Sequence, residues 1–284
     1  MPTAALILLF LSASMHALWN FLLKNAEEKY IAMGWQTILS GILALGVMFY
    51  SGLPPREMWG FAVVSMLLEA IYFILLCIAY SDHDFSLVYP IARGGAPALL
   101  VAWTAIFLQE RLTTGGYIGL AMITIGMMVI GATALLQSKG EKLHLKGVFT
   151  ALAVALVISL YTFIDGFAVR NGPVLPYGLS MFVMVPFVTT PYITHHYGWE
   201  SFVRVWKTNR NYLLMGGVLG LVAYMLALFA YTFAPLSYSG AIREVSAVIG
   251  AFLGWRFLNE QMGGVRVAGS AIVFAGVMVI AIFG

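Results

Sequence analysis

Apolar residues fill this chain in runs of about 20, the length that spans a bilayer as a helix, each closed by a short polar or glycine- and proline-bearing stretch. The runs predict ten spans, near residues 3–24, 30–50, 59–80, 85–109, 114–136, 146–169, 175–197, 211–233, 237–258 and 263–283. The breaks carry turn and charge signals: Lys24 to Lys29, Gly52 to Arg56, Ser81 to Asp84, Glu110-Arg111, Ser138 to Lys142, Asn171-Gly172-Pro173 and Trp206 to Arg210.

The pattern is written twice. Adding 150 to the stretch from residue 93 to 130 returns ten identities in 38 positions without a gap: Arg93, Phe107, Leu108, Glu110, Gly119, Ala121, Gly126, Met128, Val129 and Ile130. Apolar composition accounts for matched Val and Ile, but not for an Arg, a Glu and two glycines in register. A period near half the chain length means duplication of a large unit. The polar connector at 137–146 marks the boundary, giving repeats at residues 1–137 and 146–284. Five helices is an odd number, so the second repeat enters the membrane from the opposite side. The expected fold class is an all-α integral membrane protein of ten transmembrane helices, arranged as two inverted five-helix repeats.

Composition agrees and narrows the function. The chain is 61% hydrophobic and 10% charged, with a mean hydropathy of +0.92, whereas soluble domains carry about 25% charged residues. Ten spans leave no room for a soluble catalytic domain. HExxH and GxSxG motifs and a plausibly spaced Asp pair are absent, so an enzyme is not expected. The single Cys77 offers neither an internal disulfide nor a metal cluster, and a net charge of +3 does not suggest nucleic acid. Lys and Arg concentrate in the odd-numbered connections, which would place those in the cytoplasm and both termini outside.

Candidate chemistry lies in polar residues within apolar spans, where each charge costs roughly 2.5–3.5 kcal/mol to insert. Glu69 and Arg93 fall near mid-span, and Arg243, Glu244 and Asp165 nearer span ends. Helical spacing groups others into stripes: Ser12, His16, Asn20 and Lys24; Ser86, Tyr89 and Arg93; Tyr161 and Asp165; Tyr224 and Tyr231; Ser239, Arg243 and Ser246. If the stripes converge, they line a polar cavity between the repeats. Pro90 and Pro97 are expected to break the fourth helix there. The plainer readings pair Arg93 with Glu69, Arg243 with Glu244, and Asp165 with Arg170, and place Trp19, Trp35, Trp59, Trp199 and Trp206 in interfacial belts. Glu110 and Glu260 read as cap or loop residues. The glycines spaced by four (115/119, 216/220, 250/254) and by seven (119/126, 269/276) read as close helix packing. The copies differ most at the site, where Gly94 becomes Glu244 and Pro97 becomes Ala247.

Together these residues resemble EamA-type members of the drug/metabolite transporter superfamily. Phe107-Leu108-Gln109-Glu110-Arg111-Leu112, Phe257-Leu258-Asn259-Glu260-Gln261, the glycine-bearing helices after them, and His16-Ala17-Leu18-Trp19-Asn20 carry the likeness. The chain departs from the pattern at Gln261, where a basic residue often follows the Glu. The resemblance implies a multi-pass inner-membrane carrier of amino acids and related metabolites, with both termini cytoplasmic, which conflicts with the loop charges. The resulting expectation is a secondary transporter, an exporter, of a small polar metabolite such as an amino acid or small organic anion. Alternatives are a lipid or lipid-linked headgroup translocase and an uptake permease for a phosphonate-like anion. The expected substrate-binding residues are Arg93, Tyr89, Glu69, His16, Asn20, Trp19, Tyr161, Asp165, Tyr224 and Arg243. In that reading Arg93 and Arg243 fork onto an anion, while Glu69 or Asp165 takes an amine or a coupling proton. No cofactor or metal is expected. The partners are the lipid bilayer and a small-molecule substrate, for a monomer or homodimer.

Overall fold

The computed structural model describes residues 1–82, 85–137, 145–258 and 264–284. Eleven helices run through them: α1 (Thr3–Asn25), α2 (Lys29–Ser51), α3 (Trp59–Asp82), α4 (Phe85–Phe107), α5 (Thr114–Gln137), α6 (Leu145–Asn171), α7 (Val174–Tyr197), α8 (Trp199–Tyr231), α9 (Leu236–Arg243), α10 (Val245–Leu258) and α11 (Gly264–Phe283). A single 3-10 turn, Arg56–Met58, precedes α3. No strand occurs among the described residues. The connector at 138–144 and the Asn259-Glu260-Gln261 segment lie outside them.

Glycine and proline set several of the ends. Pro2, Pro173 and Pro235 stand immediately before α1, α7 and α9 with extended ψ, a residue whose fixed φ suits a helix start and whose missing N–H is not needed there. Gly52 and Gly198 close α2 and α7 at φ +80, a left-handed turn that a Cβ would disfavour.

Seven of the described helices are long and apolar enough to cross a membrane, and the shorter apolar stretches Ala92–Phe107 and Thr114–Ile130 accompany them. Large apolar side chains on their outer faces are bare: Tyr50 is 95% exposed and Phe49 82%. Helices satisfy every backbone group internally, so such faces sit stably against lipid, where an aqueous surface would be unfavourable. This is a multi-pass integral membrane protein.

Inside, α6 packs on α3 and α4, and α8 packs on α1 and α2. The α9–α10 pair leans on α1, and α2 also lies along α7. The tightest seam joins α5 to α11, where four glycines meet in crossed pairs. A Cβ on Gly119 would lie 2.7 Å from the Gly276 carbonyl oxygen, and one on Gly276 would lie 2.7 Å from that of Gly119. Gly126 and Gly269 repeat the arrangement at 2.8 and 2.9 Å. With no hydrophobic drive between helices in lipid, backbone approach of this kind is what packing there rests on. Gly216 likewise abuts the Gln36 side chain, whereas among the described residues a Cβ added at Gly250 would meet nothing within 4 Å.

Three expectations need correction. The eighth helix begins at Trp199, twelve residues before the expected 211, and passes through Trp206 to Arg210 with one kinked residue, Asn209 (φ −124, ψ 16). Its first turns carry Glu200, Arg204 and Lys207 and read as a connector, yet Phe202 and Val205 are buried against α2. At 1.5 Å per residue, 33 residues reach about 50 Å, longer than the roughly 30 Å hydrocarbon core. The fourth helix is continuous through Pro97, because a proline removes only one backbone donor and neighbouring helices tolerate the gap. The break falls instead in the other copy, at Glu244 between α9 and α10. There Glu244 N–H donates to the Ala241 carbonyl at 3.1 Å and Ala247 N–H to that of Glu244 at 2.9 Å, the tighter i, i+3 spacing.

Candidate functional site

The polar stripes converge on one cavity of ≈ 110 Å³. Helix α1 contributes His16 and Trp19, α3 contributes Glu69, and α4 contributes Arg93. Tyr161 comes from α6, Tyr224 from α8, and Arg243 from the end of α9. Seven of the ten expected residues therefore face one space. Water needs about 10–15 Å³ by this measure, so the space accepts a small metabolite or several waters.

Two others, Asn20 and Asp165, do not line it. Asn20 turns its amide back to the His16 carbonyl of its own helix, at 2.9 Å. Asp165 is fully buried behind Tyr224, accepting hydrogen bonds from the Tyr177 hydroxyl at 2.7 Å and from the Tyr224 hydroxyl. Its expected partner, Arg170, pairs elsewhere. Tyr89 belongs to α4, and its side chain lies outside the described residues.

Ion pairing inside the cavity also differs from the local reading. Arg93 does not take Glu69 as its ion-pair partner: its Nε lies 3.4 Å from Glu244 Oε2, and its terminal nitrogen donates to Ser246 Oγ at 2.9 Å. Arg243 pairs with no neighbouring acid. It donates to the Tyr231 hydroxyl at 2.8 Å, and its guanidinium sits 5.2 Å from the Tyr224 ring centroid. A cation over an aromatic face is held in place without being neutralised. Among the described residues no carboxylate lies within 4.0 Å of Arg243, and Glu69 has no hydrogen bond or ion pair. The cavity thus presents a guanidinium and a carboxyl group with no ion-pair partner among the described residues.

Trp19 is no belt residue. It is 8% exposed, lines the cavity, and donates its indole N–H to Gln36 Oε1 at 2.8 Å. Trp35 and Trp206 stack on each other at 4.7 Å, with Phe202 4.5 Å from Trp35, tying α2 to the first turns of α8. Gln36, Thr37 and Ser40 of α2 also reach the cavity, as does Tyr72 of α3. Sequence reasoning passed over them, although Gln36 and Ser40 are an i, i+4 polar pair in an apolar helix, the same signal that marked α1.

Outside the cavity, Glu110 is a cap residue, as expected, but for a distant helix. Its carboxylate accepts from Leu236 N–H at 2.9 Å, Ser237 N–H at 3.2 Å and Ser237 Oγ at 2.8 Å at the start of α9, and pairs with Arg170 at 2.9 Å. Burial alone would push this carboxyl up; the bonds from Leu236, Ser237 and Arg170 together hold it below the ordinary glutamate value.

Among the described residues no group of three or more His, Cys, Asp or Glu side chains is placed to hold a metal. What the cavity can do chemically is hold a small molecule of mixed charge against aromatic walls.

Comparison with known proteins agrees with this architecture. The chain is 30% identical over 131 residues to an uncharacterized protein of Methanocaldococcus jannaschii, an alignment covering 44% of this chain and 95% of that protein. A solved crystal structure superposes with a TM-score of 0.78 at 14% identity, over 99% of this chain and 98% of that one; at such identity the likeness speaks for the fold alone. Residues 145–282 match the EamA-like transporter family. Membrane-spanning helices around a central charged cavity, a relative covered almost end to end, and this match lead to one conclusion: the chain belongs to the EamA-like transporter family.

Proposed function

We propose that this protein is a secondary transporter of a small carboxylate-bearing metabolite, with an amino acid as the best-fitting cargo. The halves 1–137 and 146–284 act as inverted five-helix repeats that alternately expose the cavity to the two sides. Export across the inner membrane is the direction the family reading favours. Contacts support the inverted arrangement: α8 on α1 has its counterpart in α3 on α6, and α6 on α4 in α1 on α9–α10. The crossed glycines of α5 and α11 obey the same two-fold relation. The relative that is matched over 95% of its own length aligns with 131 residues of this chain, about the length of one such half.

One observation carries the reading: Arg243 stands in the cavity, held by Tyr231 and Tyr224, with no carboxylate within 4.0 Å of it among the described residues. In this scheme Arg243 forks onto the cargo carboxylate, and Glu69 receives its ammonium or, for a cargo without one, a coupling proton. Arg93, compensated by Glu244, shapes the site, and Tyr161, Tyr224 and Trp19 wall the apolar body.

The test is amino-acid flux into vesicles containing purified protein, wild type against Arg243→Ala and Arg243→Lys. A hydrogen bond to a charged group contributes about 1.5–3 kcal/mol, so flux at sub-saturating cargo should fall at least about tenfold in Arg243→Ala, with partial recovery in Arg243→Lys. Undiminished flux through folded Arg243→Ala protein would remove the site.

A further inference from the structure

The second repeat places a carboxylate where the first has no side chain at all. Gly94 and Glu244 share a register, 94 + 150 = 244. Gly94 is buried against α5, where an added Cβ would already touch Met127 Cβ at 3.4 Å. Glu244 occupies the interruption between α9 and α10, is 4% exposed, and lines the cavity. Its Oε2 faces Arg93 Nε at 3.4 Å but accepts no hydrogen bond. A buried carboxylate oxygen without a donor is unfavourable by roughly 1–3 kcal/mol. A neutral residue would fill the same volume without that penalty, so packing does not explain a Glu here.

Charge does. The ionisable groups lining the cavity, apart from His16 and the tyrosines, are Arg93, Arg243, Glu69 and Glu244, two of each sign. Asp165 lies behind them, held by Tyr177 and Tyr224. With Glu244 beside Arg93, a cargo meets one effective cation and one effective anion. Without it, two guanidinium groups would face the same small space, and in a water-poor site their fields reinforce each other.

We propose that Glu244 is the charge-selectivity residue of this cavity: by offsetting Arg93 it makes the site prefer a zwitterion to a monoanion of the same shape. The inference rests on the transport reading above. It predicts that removing the carboxylate converts an amino-acid site into an organic-anion site.

Three probes share one apolar body and differ in charge: leucine, 4-methyl-2-oxopentanoate and 3-methylbutylamine. Titration calorimetry on detergent-purified protein would compare wild type with Glu244→Gln, Glu244→Gly (the residue of the first repeat) and Glu244→Asp, with melting temperature as the folding control. The preference for leucine over the oxo acid should fall about tenfold or more in Glu244→Gln and Glu244→Gly and survive in Glu244→Asp. The amine should weaken in both neutral variants. An unchanged leucine-to-oxo-acid ratio in either folded neutral variant overturns the inference and leaves the transport reading standing. Equal weakening of all three probes assigns Glu244 a purely structural role and overturns it too. A wild-type protein that binds none of them refutes the cargo class itself, and this inference with it.

Discussion

The stretch α4–α5 and its counterpart α9–α11 share a 150-residue register in sequence but differ in their structure. In the first, Arg93 rides a continuous helix with Gly94 beside it and Pro97 one turn on. In the second, Arg243 ends a helix, Glu244 fills the gap, and the chain resumes at Val245. Against expectation the copy with prolines stays whole and the copy without them breaks. Along α5 and α11, by contrast, the copies remain interchangeable, glycine on carbonyl in both directions. Where the two stretches pack on each other their pattern is symmetric; where they line the cavity it is not.

Breaking the asymmetric side should have the largest effect. Arg93→Ala leaves Glu244 buried without its counter-charge, a loss of about 3–5 kcal/mol, read as a lower melting temperature and a smaller folded yield. Combining it with Glu244→Gly should recover most of that stability, since the second copy then carries the residue of the first. The symmetric side is tested by Gly119→Ala and Gly269→Ala, equivalent positions in the two repeats. Each pushes a methyl group toward a backbone carbonyl and should cost about 1–3 kcal/mol, the two agreeing within about 0.5 kcal/mol. A clear inequality in their melting temperatures would show that the seam is symmetric only in outline.

A smaller effect is expected at the cap between the copies. Glu110→Gln weakens the start of α9 and removes the ion pair with Arg170, which keeps its bonds to the Tyr231 and Ala234 carbonyls, at a cost of about 0.5–2 kcal/mol. Because the folded carboxyl titrates below its ordinary value, its stabilisation is complete above the unfolded glutamate value and is lost as pH falls through the lower, folded one. Wild-type unfolding midpoints should drop over that acidic window, and the Glu110→Gln midpoint should lack this component. Smallest of all is Gly250→Ala, which adds a methyl group to open space and should leave the melting temperature unchanged or slightly raised.

Much of this was legible along the chain. Apolar runs located the helices, the 150-residue register aligned the glycines of the fifth and last helices, and polar stripes named six residues of the cavity, His16, Arg93, Tyr161, Tyr224, Arg243 and Ser246. Partners were what sequence could not supply. Nothing near Arg93 in the chain points to Glu244, 151 positions on, and Asp165 reads as a match for Arg170 until Tyr177 and Tyr224 are seen around it. A connector-like run, 199–210, becomes helix because Trp35 and Trp206 stack across to it. Proline is also a poor guide to where a membrane helix gives way, since backbone that loses one donor can continue.

The crossed glycines have a consequence for how such a chain could arise. Subtracting 150 from 276 and 269 gives 126 and 119, so Gly119 meets the equivalent of Gly126, and Gly126 that of Gly119. A single unduplicated half would therefore carry a face complementary to itself, satisfied only by a twin threaded through the bilayer upside down. A half-length gene would have to produce both threadings in equal number. Fusing two copies end to end makes the count one to one by construction, and it frees each copy to mutate at positions such as 94 and 244 without imposing the same change on its twin.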